Sequence, residues 1–284
     1  LKIAGLLHDC GKVTTPVHVV DKATKLETIF DRIHLVDTRF EVIKRDAEID
    51  ALRRQLDLAR QENLDKVSQK EAFYEIDQNL RERIRQIEED REFVRRSNMG
   101  GEFMASDLQE RIRSIGSYYR WVDVSGSTAD FLTEDEVENL TIQRGTLTAT
   151  EREIINHHIV ATIKMLEALP WPRHLRDVPE YAGGHHERMD GKGYPRGLTG
   201  DQMSVQARVM GIADIFEALT AKDRPYKRGK TLSESLRILG NFKQGGHIDP
   251  DLFDVFIRRK VYLRYAEQFL DPEQHWTIIG KKGI

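Results

Sequence analysis

The chain concentrates its reactive side chains in short clusters of histidine and acid. The densest is HHERMDGKGYP, residues 185–195, where two adjacent imidazoles and two acids run into a glycine-rich turn. Paired histidines without paired cysteines suit a hard or borderline metal better than structural zinc. Gly191 and Gly193 let the backbone bend sharply, and Pro195 sets the direction in which the chain leaves. An isolated histidine pair can equally well just end a helix, but this pair is not isolated. LLHDCGK at the start sets His8 and Asp9 side by side, with Gly11 and Lys12 close behind. His157 and His158 fall in the apolar-periodic run 154–166, and Asp214 lies within VMGIADIFEAL. A carboxylate in so apolar a helical pattern is costly unless it is paired or bound to a cation. Asp214 therefore needs a metal, or a salt bridge to Arg208.

Taken in order, HDxGK, a helical histidine, HHExxDGxGYP and an aspartate followed by ALTxxDRPYK resemble the HD-GYP family of bacterial cyclic di-GMP phosphodiesterases. The resemblance covers residues 1–16 and about 131–260, and four signatures in one order make it specific. It implies a helical HD-domain bundle holding two divalent ions, iron or manganese. Asp9 would bridge them, with His8 and Asp214 completing one position and His158, His185 and His186 the other. Lys12 is implied to neutralise the scissile phosphate, and Arg224 and Lys227 to contact phosphate. A salt bridge for Lys12 and a solvated basic turn for the other two are the plainer alternatives. Gly193, Tyr194 and Pro195 form the loop associated with substrate specificity and partner contacts, where Tyr194 would stack or hydrogen-bond. Glu187 and Asp190 are expected to fix that loop and orient the ligands from behind. His157 falls where the family is variable and is read as surface, and His18, His34, His174, His247 and His275 match no role.

The implied activity is metal-dependent hydrolysis of cyclic di-GMP to linear pGpG and onward to GMP. Hydrolysis of a related cyclic dinucleotide is a second reading. A third is a catalytically weak sensor or scaffold that binds nucleotide and signals through a helical arm. The family also carries a histidine-bearing helix before the HD pair, and in some members an upstream glutamate for a third metal. LKIAGLLHD already has the pattern of the middle of a buried helix. The chain is therefore expected to be cut from something longer that carries an upstream sensor domain, with one metal position complete and the other short of a ligand.

With 284 residues and 39% apolar content, the chain is long enough for one large domain or two with a real core. A net charge of −3 excludes a general binder of polymeric nucleic acid, so phosphate attraction must be local. Cys10 is the only cysteine and cannot form an internal disulfide, which fits a reducing, cytoplasmic compartment. No apolar run approaches the ~20 residues needed to span a bilayer.

The elements that must position these clusters read as all-α. Apolar residues at 3, 6 and 7 predict a helix that delivers His8 and Asp9 and ends at Gly11. Residues 17–99 contain neither glycine nor proline, which predicts long helix. Ile49, Leu52, Leu56 and Ala59 form one apolar seam, and Phe73, Ile76, Leu80, Ile84, Ile87 and Val94 another. Residues 63–68 are the weakest part of both, so two antiparallel helices of about 40 Å are expected to join there. Between residues 41 and 96, 15 acidic and 13 basic side chains make the solvated face of a coiled-coil-like arm. The arm reads as a dimerisation arm or signalling spacer, with an inert insertion as the alternative.

After a break at 98–101, residues 107–119 resume an amphipathic helix that ends near Gly126. Thr133 with Glu136 predicts a capped helix over 134–140, and Thr148 with Glu151 a second one carrying His157 and His158. Helices are further expected over 201–222 and 233–239, and from Pro250 with Phe253 and Phe256 facing the core. The domain reading is residues 1–16 and 131–270 as the catalytic core, 17–130 as the inserted arm and 271–284 as a tail.

Overall fold

The computed structural model describes residues 1–61, 65–101, 103–221 and 229–275. It is helical apart from one small β-hairpin and divides into two compact units, residues 1–21 with 151–284 and residues 22–150.

The first unit contains α1 (Lys2–Leu7), a 3-10 turn (Cys10–Thr14), α2 (Val17–Val20), and then, after the second unit, the helices from the boundary onward, the first of which begins two residues before it. These are α7 (Ala149–Asn156), α8 (His158–Glu167), α9 (Val178–Gly183), α10 (Val205–Thr220), α11 (Leu232–Gln244), α12 (Pro250–Arg258), α13 (Val261–Phe269) and α14 (Pro272–His275). α7 and α8 meet at His157 rather than forming the single helix expected. Lys260, with φ of 52°, separates α12 from α13 where one last helix was expected.

Two apolar clusters hold this unit together. Ala4, Leu166, Val178 and Ala182 join α1, α8 and α9, while Ile212, Phe216, Leu239 and Phe253 join α10 to α11 and α12. Small residues bring α9 close to its neighbours. A Cβ on Gly183 would lie 2.5 Å from Ile163 Cγ1, and one on Gly184 2.8 Å from the Ala207 Cβ. Ser204 caps α10 by accepting from Ala207 N, and its hydroxyl donates to Glu180 Oε2 at 2.7 Å, which ties α10 to α9. Asp249 caps α12 and pairs with Arg208 at 2.5 Å. Arg208 is thus engaged with Asp249, and the Asp214–Arg208 bridge weighed from sequence does not form.

The second unit is built on α3 (Ile33–Ala59) and α4 (Lys66–Asn98). They run antiparallel, with Asp37 paired to Arg91 and Arg95 near one end and Gln55 bonded to Asp77 further along. Alongside lie α5 (Ser106–Tyr118), a hairpin of β1 (Arg120–Val122) and β2 (Thr128–Asp130), and α6 (Glu134–Leu140). The core of the unit includes Phe40, Ile87, Val94, Ile112, Phe131 and Leu140.

Two sequence expectations give way here. Residues 21–32 are not helical despite lacking glycine and proline, because polar side chains take the backbone donors instead. Glu27 accepts from Ala23 N and Thr24 N, and Asn98 Oδ1 from Leu26 N. The hairpin was missed because its strands are three residues each, too short for a period-two pattern. Its turn is set by Asp123 accepting from Ser125 N and by Gly126 at φ of 84°. Helix 134–140 appears with the bounds expected and with its capping box formed. Phe131, Leu132 and Leu140 pack in the second unit, so the packing boundary falls at 150/151 rather than at 130/131.

Candidate metal centre

Five elements of the first unit converge on one carboxylate. His8 ends α1, and Asp9 follows it at the start of the 3-10 turn. That turn lies hard against α8, with Gly11 N donating to the buried Thr162 Oγ1 at 2.9 Å. His158 is the first residue of α8, His185 and His186 follow the end of α9, and Asp214 is on α10.

Asp9 Oδ1 lies 3.1 Å from His158 Nε2 and 3.8 Å from His185 Nε2. Its Oδ2 lies 3.4 Å from His8 Nε2 and 2.6 Å from Lys12 Nζ. His8 Nε2 is also 3.5 Å from Asp214 Oδ1. The ligand atoms form two groups that could each hold an ion, His158 with His185 and His186, and His8 with His185 and Asp214. Asp9 therefore stands between them with one oxygen toward each side.

The histidines are oriented by one repeated device. His8, His158 and His185 each donate Nδ1–H to the carbonyl three residues upstream, on Gly5, Ile155 and Ala182, at 2.7, 2.5 and 2.6 Å. A carbonyl can only accept, so Nδ1 carries a proton, and each Nε2 presents a lone pair when its ring is neutral. Among the described residues, Asp9 Oδ1, His158 Nε2 and His185 Nε2 are buried with no hydrogen-bond partner. His158 is 3% and His185 2% exposed, so water cannot serve these atoms freely. Buried acceptors left unmatched and aimed at one point fit a bound cation. A mixed imidazole and carboxylate set suits a borderline divalent ion.

The charge states agree with this. Burial alone would raise the Asp9 carboxyl, but the His158 ring and the Lys12 ammonium outweigh it and hold the group far below the usual carboxylate range. Burial likewise opposes ionisation of Asp214, and its hydrogen bond with His8 reverses the balance. The same hydrogen bond raises the pKa of His8. Burial lowers that of His185, and burial with His185 alongside drives His186 down to about 3. The imidazoles of 185 and 186 are thus neutral near pH 7, the form that binds metal.

The loop after the histidine pair folds back on it. The Tyr194 ring stacks on the His186 imidazole with centroids 4.8 Å apart at 21°, and burial pushes its phenol up to about 12. The Tyr194–Pro195 peptide is cis. Glu187 accepts from Arg196 N at 2.7 Å and Leu198 N at 2.9 Å. Asp190 binds Arg188 through both carboxylate oxygens and accepts from Lys192 N. A Cβ on Gly193 would lie 2.5 Å from Glu187 Cα, so only glycine permits this approach. His157 is exposed beside the buried His158. Arg224 and Lys227 lie outside the described residues.

A cavity of about 1160 Å³ opens onto the cluster, lined by His8, Asp9, His185, His186 and Asp214. Arg188, Lys192 and His247 also line it, and none of them was assigned to the site from sequence. The first two occupy unspecified positions of the HHExxDGxGYP pattern, and their only sequence signal is positive charge beside a metal motif. Thr162 was missed as well, since nothing in the sequence links it to Gly11 across 151 positions.

Residues 134–252 match the HD domain family. A 3'3'-cGAMP-specific phosphodiesterase of Vibrio cholerae is 46% identical over 81 residues, 28% of this chain and 19% of that protein. A cyclic di-GMP phosphodiesterase of Pseudomonas aeruginosa is 43% identical over 74 residues, 26% of this chain and 17% of that protein. One from Thermotoga maritima is 32% identical over 121 residues, 43% of this chain and 32% of its own length. The chain thus spans a third or less of each of these relatives. Joined to the site geometry, these matches show that residues 134–252 are similar to the HD domain family and that the chain is homologous to bacterial phosphodiesterases of cyclic dinucleotides.

Proposed function

We propose that this chain is a metal-dependent phosphodiesterase that opens 3'3'-cyclic dinucleotides, with cyclic di-GMP as its principal substrate and linear pGpG as first product. The observation that carries the reading is the convergence of buried, unpartnered Asp9 Oδ1, His158 Nε2 and His185 Nε2, with Asp9 and His185 lining a cavity of about 1160 Å³. His158, His185 and His186 would hold one divalent ion, His8 and Asp214 the other, and Asp9 both. Iron or manganese suits the donor set. Bound there, such ions supply Lewis acidity toward phosphoryl oxygens and lower the pKa of water.

The chain's own residues do the rest. Asp9 stays ionised at neutral pH because His158 and Lys12 favour its charged form. Lys12, partly exposed beside it, is available to a phosphate oxygen entering from the cavity. Tyr194 covers one face of His186 and keeps water from it, while Glu187 and Asp190 hold the loop that carries it. Arg224 and Lys227 remain part of this reading as phosphate contacts.

The identity to 3'3'-cGAMP-specific relatives favours that nucleotide as the second substrate to assay. The reading extends to α3 and α4 as a coiled-coil-like arm that pairs with a second copy, supported by Ile49, Leu52 and Leu56 exposed along α3. A cytoplasmic location is part of it. The test is to load the protein with manganese or iron, incubate it with cyclic di-GMP and with 3'3'-cGAMP, and separate the products by chromatography. Linear dinucleotide that disappears in the His185→Ala protein is expected. Intact substrate from fully loaded protein overturns the reading.

A further inference from the structure

α10 ends at Thr220 and α11 is capped at Thr231, and between them the chain leaves and returns through a narrow neck. Lys230 N donates to Leu219 O at 2.8 Å across it. A Cβ on Gly229 would lie 2.3 Å from Thr220 O and 3.0 Å from Ala221 O, so the two backbones approach as only glycine allows. The returning side is fixed by the capping box of Thr231 and Glu234 that starts α11. Ala221 and Gly229, one on each side of the neck, line the cavity that also holds Asp9, Lys12 and Asp214. Residues 222–228 join them in sequence and include Arg224 and Lys227.

The neck has a third member, from α14. Gln274 is 6% exposed and donates Nε2–H to Thr220 O at 3.0 Å and to Lys230 O at 3.2 Å. Both partners are carbonyls, which only accept, so serving them together takes a group with two hydrogens on one atom. Thr220 O belongs to the last turn of α10, where carbonyls find no amide within the helix. α14 is itself tied down, since His275 Nε2 donates to Ala266 O of α13 at 2.9 Å and Gln274 N to Asp271 O at 2.9 Å. Gln274 thus stands behind the cavity wall and grips both ends of the segment that carries the basic pair.

A charge-assisted contact to phosphate depends on distance and direction. Where Arg224 and Lys227 can reach therefore depends on how the two ends of their segment are held. We propose that Gln274 is a positioning residue for substrate phosphate, clamping the neck of segment 222–228 so that Arg224 and Lys227 meet the cavity at a set place. The proposal rests on the phosphodiesterase reading above and on its assignment of those two cations.

The test measures cyclic di-GMP hydrolysis by the metal-loaded chain in wild type, Gln274→Leu, the double variant Arg224→Ala with Lys227→Ala, and the triple variant. Leucine keeps the bulk of the side chain and removes the donor. KM should rise about tenfold in Gln274→Leu, on the order of one charge-assisted contact, with kcat and metal content little changed. Once Arg224 and Lys227 are gone, the same substitution should have no further effect on KM, the non-additivity of residues that act through one another. A merely structural role predicts an equal loss in both backgrounds. Gly229→Ala forces the neck apart from its other side, so it should reproduce the rise in KM and keeps the test decisive if Gln274→Leu undoes α14. Unchanged KM in both Gln274→Leu and Gly229→Ala, an additive loss in the triple variant, or no loss from removing Arg224 and Lys227 overturns the proposal. Wild type that binds cyclic di-GMP without cleaving it would overturn the phosphodiesterase reading, and equilibrium affinities of the same variants would still decide this one. Wild type that does neither overturns both.

Discussion

Gly11→Ala tests whether the 3-10 turn that carries Asp9 is held by backbone contact with α8. A Cβ at this position would lie 2.0 Å from His158 O, 2.6 Å from Thr162 N and 2.7 Å from Thr162 Oγ1. Contacts below 3.0 Å are essentially never made by real Cβ atoms, so turn and helix must separate by at least 1.0 Å. The atoms in the way are mainly backbone, which cannot rotate aside. Separation also breaks the Gly11 N–H bond to Thr162 Oγ1 and leaves a buried donor unmatched. Overpacking and the orphaned donor together cost about 3–4 kcal/mol. For a unit of this size that lowers the melting midpoint by roughly 6–16 °C.

The functional effect is separate from the stability effect. Asp9 lies two residues from Gly11, and a shift of about 1 Å in a site group can reduce turnover on the order of 100-fold. Calorimetry, metal content after dialysis and phosphodiesterase rate should all change in Gly11→Ala. Gly5→Ala is the control, since its Cβ meets nothing nearer than Met210 Sδ at 3.9 Å. A Gly11→Ala protein with wild-type midpoint and full metal would refute the account of how Asp9 is placed.

Three further outcomes are expected. His158→Ala and His185→Ala should each lose bound metal by elemental analysis, while the exposed His157→Ala retains it; equal loss in all three would mean the wrong histidine has been placed at the site. In the metal-free protein, His185, His186 and His247 have folded pKa values below the ordinary 6.5, so the unfolded chain protonates first and stability falls as pH drops below that value. His8 is shifted upward, and the stability it adds is already in full below its ordinary value, so it does not offset this fall; a midpoint that is flat or rises between pH 6.5 and 5 would contradict the assignment. Leu52→Glu with Leu56→Glu should convert a dimer to a monomer by light scattering without lowering the helix content, and a wild-type monomer would remove the arm from the functional reading.

The parts of this molecule that the sequence announced are those specified by local rules. Thr133 and Glu136 mark the start of α6 because the cap needs only residues three apart, and the capping box forms as read. His8, Asp9, His158, His185, His186 and Asp214 were named from motif order, and the structure gathers them around one point. What stayed hidden depends on partners distant in sequence. Asn98 satisfies Leu26 N across 72 positions and so keeps residues 21–32 out of a helix that their composition favours. Asp249 takes Arg208 away from Asp214 across 41 positions. A carboxylate and an arginine six residues apart on an apolar helix carry no sign of which third residue will claim the arginine.

Three of the imidazoles are oriented by hydrogen bonds within the fold itself. His8, His158 and His185 each sit at a helix end, and each turns its Nδ1–H onto a carbonyl three residues upstream. Carbonyls in the last turn of a helix lack amide partners within it, so a histidine just past α1 or α9 can occupy one while its Nε2 projects away. His158 repeats the geometry at the junction of α7 and α8, where Ile155 O accepts its ring. The helix boundaries therefore set both tautomer and direction, and the cost of ordering the ligands falls on folding rather than on metal binding. His186 is the exception. Among the described residues no such carbonyl bond holds it, and the Tyr194 ring stacks on it instead. Of the imidazoles at this site, it is the one whose position depends on the loop after Gly191, so a change in that loop should alter metal binding through His186 before it disturbs the other three.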